Sequence, residues 1–190
     1  MAMIFKEGHL FHVFNRGNNR ETLFYNDVNY LMFLKKMSDH ISPYSEFLAW
    51  CLMPNHFHMM IEVKNLDRSG YELNYSIGVM LRSYARAINN QEHRVGSLFQ
   101  SGTKAHNLTE PDKAFLTSRN YFYGPSYSYM IHKSKYPVKC MEYIHHNPVR
   151  AGLVDTPSDW KYSSYNEYLG KSNYNLCCKK KGRKYLSFTP

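Results

Sequence analysis

Residues 46–63, EFLAWCLMPNHFHMMIEV, carry two apolar runs separated by Pro54 and Asn55, and this stretch limits the fold more than any other. Both runs, 46–53 and 56–63, are rich in aromatic and branched side chains and read as strands, with the Pro-Asn pair as the break of a hairpin. His56 and His58 therefore open a strand. On a helix, positions i and i+2 point about 200° apart, whereas on a strand they share one face, about 6.8 Å apart along the chain, with Phe57 turned into the core. Two imidazoles so placed can converge on one ion, but an isolated pair at this spacing also fits two half-exposed strand histidines.

The flanking sequence places this hairpin in a larger order. HLFHVFNRG (9–17) reads as a strand ended by the turn chemistry of RGNNR. NDVNYLMFLKKMSDHI (26–41) spaces Val28, Leu31, Met32, Leu34 and Lys35 at helical period, with Asn26 or Asp27 as cap. ELNYSIGVMLRSYARAINN (72–90) carries Ile77, Met80, Leu81 and Tyr84 on one helical stripe, and GTKAHNL (102–108) is a shorter strand. The order is βαββαβ, an α+β pattern that folds as an antiparallel sheet with both helices on one face and leaves the other face free for a ligand.

Beyond residue 110 the pattern changes. RNYFYGPSYSYMIHKSKYP (119–137) is too aromatic for a linker and too broken by Gly124, Pro125 and Pro137 for a long helix, so an irregular tyrosine-rich insertion is expected. C-terminal helices follow: one over 137–147, with Pro137 in its first turn and Pro148 stopping it, and one over 157–170 ending at Gly170. KKKGRK (179–184) marks 171–190 as a flexible basic tail on a single domain of residues 1–170.

Lys and Arg total 24 against 15 Asp and Glu, a formal charge of +9 with a pI near 9.3. Such an excess favours a polyanionic partner, nucleic acid first, over a merely solubilising surface. Cys51, Cys140, Cys177 and Cys178 form no C-x-x-C pair and suit reduced cytosol. No window approaches a membrane span and the N-terminus lacks a secretory pattern, so a soluble, intracellular protein is expected.

A structural zinc site wants four nitrogen or sulfur ligands, which the scattered cysteines do not supply. An octahedral Mg²⁺ or Mn²⁺ site fits better, with two imidazoles, one oxygen ligand, and open positions for phosphate oxygens and water; beside a basic surface that suggests phosphoryl transfer. EYIHHNPVRAGLV (142–154) offers a nucleophile. Tyr143 and Asn147 are four apart and face one side of a helix, so a carboxamide oxygen could reach the metal that serves the tyrosine. A phenol with an ordinary pKa near 10 needs such help to attack phosphate at neutral pH. With 17 tyrosines in the chain, packing is the commoner role for any one of them.

Four ordered blocks, HVFNRGNNRETLF, MPNHFHMMIEV, GSLFQSGTK and EYIHHNPVRAGLV, with the closing DWKYSSYNEYLG, resemble the REP-associated tyrosine transposases of the HUH (His-hydrophobic-His) endonuclease superfamily. The resemblance covers most of residues 9–169. It implies a ferredoxin-like catalytic domain whose strand presents His56 and His58, together with Asn147, to Mg²⁺ or Mn²⁺, and in which Tyr143 attacks single-stranded DNA, leaving a 5′-phosphotyrosine link and a free 3′-OH. It further implies hairpin or REP-like DNA as partner, a monomer or homodimer, and a bacterial, cytoplasmic, nucleoid-associated setting. The chain departs from the family between Lys104 and Tyr143, where it is longer than its relatives; Tyr127 and Tyr129 are rival nucleophiles, although neither has a matching polar residue followed by proline.

Arg16, Asn18, Arg20, Lys104 and Arg150 sit in these blocks as candidate phosphate contacts. Tyr121, Tyr123, Tyr127 and Tyr129 are candidates for stacking on unpaired bases. His145 and His146 point away from Tyr143 and receive no role. Two other functions compete: a catalytically inactive, hairpin-binding regulator, and a nuclease that hydrolyses DNA at the metal with a purely structural tyrosine.

Overall fold

A computed structural model of the protein describes residues 4–66, 71–111 and 135–187. Residues 119–134 of the tyrosine-rich stretch, with Tyr121, Tyr123, Tyr127 and Tyr129, lie outside them, and its last residues, Tyr136 and Pro137, open a helix. The elements of the first half follow the expected order: β1 (Leu10–Arg16), α1 (Asp27–Ile41), β2 (Ser45–Met53), β3 (His56–Val63), α2 (Glu72–Gln91) and β4 (Lys104–Asn107). The strands form one antiparallel sheet in the order β2-β3-β1-β4, the ferredoxin-like arrangement. β1 and β3 are central and buried on both faces, which is why their apolar residues run on rather than alternate.

The β2–β3 turn is held from outside. Pro54 carbonyl accepts from the backbone N–H of Leu23 (2.8 Å) and Phe24 (3.2 Å), and Asn55 carbonyl accepts from Gly17 N–H at 2.8 Å. Gly17 is required for the close approach: a Cβ there would lie 2.1 Å from the Glu21 carbonyl oxygen. The start of β3, and with it His56, is thereby fixed against the segment that follows β1.

α1 begins at Asn26, whose side chain accepts from Asn29 N–H at 3.1 Å. Its buried stripe is Tyr30, Phe33, Leu34, Met37 and Ile41, not the one expected from Val28, Leu31 and Met32; Val28 is 69% and Leu31 49% exposed. The aromatic residues win because they carry the larger apolar area. Phe33 meets Phe57 of β3 at 5.1 Å between centroids and Tyr84 of α2 at 4.8 Å. α2 buries the expected Ile77, Met80, Leu81 and Tyr84. Both helices thus cover the Phe57 face of the sheet.

The opposite face is not left open. α3 (Tyr136–Arg150) packs there on β2 and β3. It runs past Pro148, which had been expected to end it. Proline removes one N–H bond, to the Ile144 carbonyl, and that loss falls in the last turn while Pro148 itself is buried; Leu153 N–H then closes the end on Pro148 carbonyl at 3.0 Å.

No single helix spans 157–170. A 3₁₀ turn (Pro157–Asp159) gives way to an extended segment that pairs with the free edge of β2, Leu52 N–H to Tyr162 carbonyl and Ser164 N–H to Trp50 carbonyl, both at 2.9 Å. A short α4 (Tyr165–Tyr168) follows. The residues expected as a tail also belong to the domain over 171–187. Cys178 N–H bonds Phe47 carbonyl at 2.8 Å, and Lys181, in the short α5 (Lys179–Gly182), bridges Glu46 (2.6 Å) and Glu62 (2.8 Å). Glu167 is fully buried and accepts from Trp50 Nε1 (2.8 Å) and Cys177 N–H (2.9 Å). This segment satisfies an edge that would otherwise expose unpaired backbone groups.

Candidate active site

The register decides which side chains meet. Phe14 pairs with His58, Arg16 with His56, and Lys104 and His106 of β4 with Phe14 and His12 of β1. Facing partners in an antiparallel pair share a side of the sheet, so all seven project toward α3. From α3 come Tyr143, Asn147 and Arg150, at spacings of four and three that keep them on one helical face. A cavity of about 230 Å³ lies between, lined by Phe14, Arg16, His56, His58, Lys104 and Tyr143, with the Gln100–Gly102 loop at its rim.

The two imidazole rings are 5.1 Å apart between centroids, and the Tyr143 ring stands edge-on to His58 at 5.3 Å. Each histidine is held through Nδ1: His56 by Asn55 Oδ1 at 2.7 Å, His58 by Nε2 of His12 at 2.9 Å. An amide oxygen only accepts, so His56 carries its proton on Nδ1 and its Nε2 lone pair is available. The same tautomer at His58 donates to His12 and leaves its Nε2 available as well. This is how metal-binding histidines are ordinarily oriented.

Burial keeps these rings neutral. It lowers His56 to about 4, helped by Arg16 and opposed by Asn147; it takes His58 well below its ordinary value, with His12, His56 and Arg16 adding to the effect; and His12 falls to about 3. Neutral imidazoles are the form that ligates metal. Burial also pushes the Tyr143 phenol up, while Arg150, Asn147 and Arg16 pull it back. The Arg150 guanidinium carbon lies 5.3 Å from the centre of the Tyr143 ring.

Asn147 is close enough to act on both His56 and Tyr143, and its buried Nδ2 has no hydrogen-bond partner. Among the described residues no three His, Cys, Asp or Glu side chains gather as a metal site. Cys51 lies opposite His58 but is buried, and burial raises its thiol. Two imidazole nitrogens and one carboxamide oxygen could together hold a divalent cation.

Of the candidate phosphate contacts, Arg16 and Lys104 line the cavity and Arg150 lies over Tyr143. Asn18 and Arg20 form the neighbouring 3₁₀ turn and do not line it; the Arg20 carbonyl instead accepts from Asn55 Nδ2 at 3.2 Å. His145 points away from Tyr143 and bonds Ser164 Oγ at 2.9 Å in the core. His12 was not singled out from the sequence, although HLFHVFNR places it on the same strand face as Phe14 and Arg16.

No protein-family model matches the chain. A curated protein of Haemophilus influenzae named a putative REP-associated tyrosine transposase is 24% identical over 127 residues, 64% of this chain and 59% of that protein. The chain therefore spans little more than half the length of that relative. A solved structure of a REP-associated tyrosine transposase bound to a REP hairpin superposes with a TM-score of 0.59 at 18% identity, covering 92% of this chain and 88% of the other. In its order of sequence blocks and in its fold, the chain is similar to the REP-associated tyrosine transposases.

Proposed function

We propose that the protein is a metal-dependent, single-stranded-DNA endonuclease and strand transferase that acts at hairpin, REP-like sequences through a tyrosine nucleophile. The convergence of His56, His58 and Tyr143 on one cationic cavity, with Asn147 close enough to act on both His56 and Tyr143, carries the reading. The similarity to transposases, one of them bound to a REP hairpin, supports the choice of DNA.

In this reading Nε2 of His56, Nε2 of His58 and Oδ1 of Asn147 would hold Mg²⁺ or Mn²⁺, whose charge would help neutralise the scissile phosphate. Arg16 and Lys104 receive the non-bridging oxygens and orient the strand. Tyr143 Oη gives its proton to solvent and attacks phosphorus; the bond from phosphorus to the 3′ oxygen breaks, and that oxygen takes a proton from solvent. The products are a 5′-phosphotyrosine and a 3′-OH. Because the phenol is pushed up by burial, the nearby positive charges of Arg150 and Arg16 supply the stabilisation the phenolate needs. Attack of a 3′-OH on the phosphotyrosine reverses the step and rejoins DNA without ATP.

A labelled hairpin oligonucleotide incubated with Mn²⁺ should give a covalent adduct on a denaturing gel with the wild type and none with Tyr143→Phe. An adduct in both proteins overturns the choice of nucleophile. Binding with no adduct in either points to a hairpin-binding regulator, and nicking that survives Tyr143→Phe but not His56→Ala points to hydrolysis at the metal.

A further inference from the structure

The helix that carries Tyr143 and Asn147 is held from behind. At about 100° per residue, His145 lies roughly 160° round α3 from both of them, so it leaves the opposite flank of the helix. It is buried there, edge-on to the ring of Tyr165 at 5.4 Å and to that of Tyr168 at 5.9 Å between centroids. Burial keeps the imidazole neutral, with a single ring N–H.

The partner of His145 decides where that proton sits. Ser164 Oγ is buried, gives its one proton to Trp50 carbonyl at 3.1 Å and accepts from Trp50 N–H at 2.9 Å. With the hydroxyl proton so committed, the 2.9 Å contact between Ser164 Oγ and His145 Nε2 has the imidazole as donor. Ser164 N–H also bonds Trp50 carbonyl at 2.9 Å, so three bonds lock the serine to one residue of β2. Trp50 is itself held, with its indole N–H on Glu167 at 2.8 Å. In the pairing of β2 with β3 it faces Met59, next to the pair Cys51 and His58. The path from the back of the tyrosine helix to the histidine strand is therefore one side-chain bond, one residue of β2 and one strand pairing.

We infer that His145 is a positioning residue: through Ser164 it fixes the rotation of α3 about its own axis, and thereby the placement of Tyr143 Oη and Asn147 against His56 and His58. The inference rests on the strand-cleavage reading for its effect on rate, and on the geometry alone for its effect on placement. The buried Cys140, Met141 and Ile144 of α3 pack without direction and tolerate a small turn of the helix, whereas a hydrogen bond is directional and resists it. The lever is long. A tyrosine hydroxyl lies roughly 8 Å from its helix axis, so a rotation of about 10° carries it about 1.4 Å, and a misplacement of about 1 Å can cost about 100-fold in rate.

The test replaces His145 in the full chain by leucine, which removes the donor, and by glutamine, whose amide N–H can take the place of Nε2–H. Single-turnover adduct formation on saturating hairpin with Mn²⁺ should fall by about 10–100-fold in His145→Leu and recover most of that loss in His145→Gln, while the hairpin binds all three proteins alike in EDTA. Ser164→Ala should lose as much as His145→Leu, and the double variant little more, because both changes remove one bond. Placement is read directly from 3-fluorotyrosine introduced at position 143. Its fluorine resonance should be the same in the wild type and His145→Gln, and shifted or split in His145→Leu and Ser164→Ala. An unmoved resonance in both of the latter, or an adduct rate per folded molecule equal to that of the wild type, overturns the positioning role. A wild type that forms no adduct, but whose resonance still depends on His145 and Ser164, counts against the cleavage reading and supports the positioning.

Discussion

His12→Phe separates the support of the site from its ligands. His12 is 1% exposed, beneath His58, with its Nε2 2.9 Å from Nδ1 of that ring. Phenylalanine fills nearly the same space, so no cavity opens; what disappears is the acceptor. The His58 Nδ1–H is then buried without a partner, which costs about 1–3 kcal/mol of folding stability. The ring also loses the bond that fixes its tautomer and aim, and loss of such a partner typically weakens metal binding by about 10–100-fold. The assay is denaturant unfolding of chelated protein together with calorimetric titration of Mn²⁺, wild type against variant. His12→Gln, which keeps an acceptor, should lose less of both. Unchanged stability and unchanged Mn²⁺ affinity in His12→Phe would refute the role given to this histidine.

Burial holds His145 down to about 3, with His146 a smaller cause, so protons bind the unfolded chain in preference. Its contribution is complete above the ordinary value of 6.5 and is lost as pH falls toward 3; at pH 5.5 the loss is about 1.4 kcal/mol. Unfolding free energies of chelated protein at pH 7.5 and 5.5 should therefore differ by that much less in His145→Gln, and an equal drop in both proteins contradicts the assignment. Gly17→Ala places a Cβ against the Glu21 carbonyl and should destabilise by about 1–3 kcal/mol while weakening the clamp on the β2–β3 turn, read by hydrogen exchange at Gly17 and Leu23. Glu167→Gln turns one acceptor into a donor facing another donor and should cost about 1–3 kcal/mol; a neutral result would mean that the edge cover of β2 does not depend on this carboxylate.

What the sequence showed and hid follows the range of the interactions. The paired histidines were legible because strand periodicity is local: His56-Phe57-His58 can send both imidazoles to one side only as a strand, and Pro54-Asn55 marks where it begins. Tyr143 and Asn147 were legible as a pair for the same reason, one helical turn being short. The face of α1 was misjudged because Val28 and Leu31 are apolar in composition, while Tyr30 and Phe33 find their partners in β3 and α2, far off in sequence. The edge cover was hidden for a like reason: KKKGRK looks like a solvated tail until Glu46 and Glu62, on two neighbouring strands, are seen to meet Lys181. His12 escaped notice because its value lies wholly in its partner, 46 residues away in the sequence.

Crystals of the protein soaked in Mn²⁺ and measured at the manganese absorption edge test the central claim most directly. One anomalous peak bonded to Nε2 of His56, Nε2 of His58 and Oδ1 of Asn147, with the Tyr143 hydroxyl beside it, is the predicted result. A manganese ion bound elsewhere in a well-occupied site, with both imidazoles bare, would contradict it.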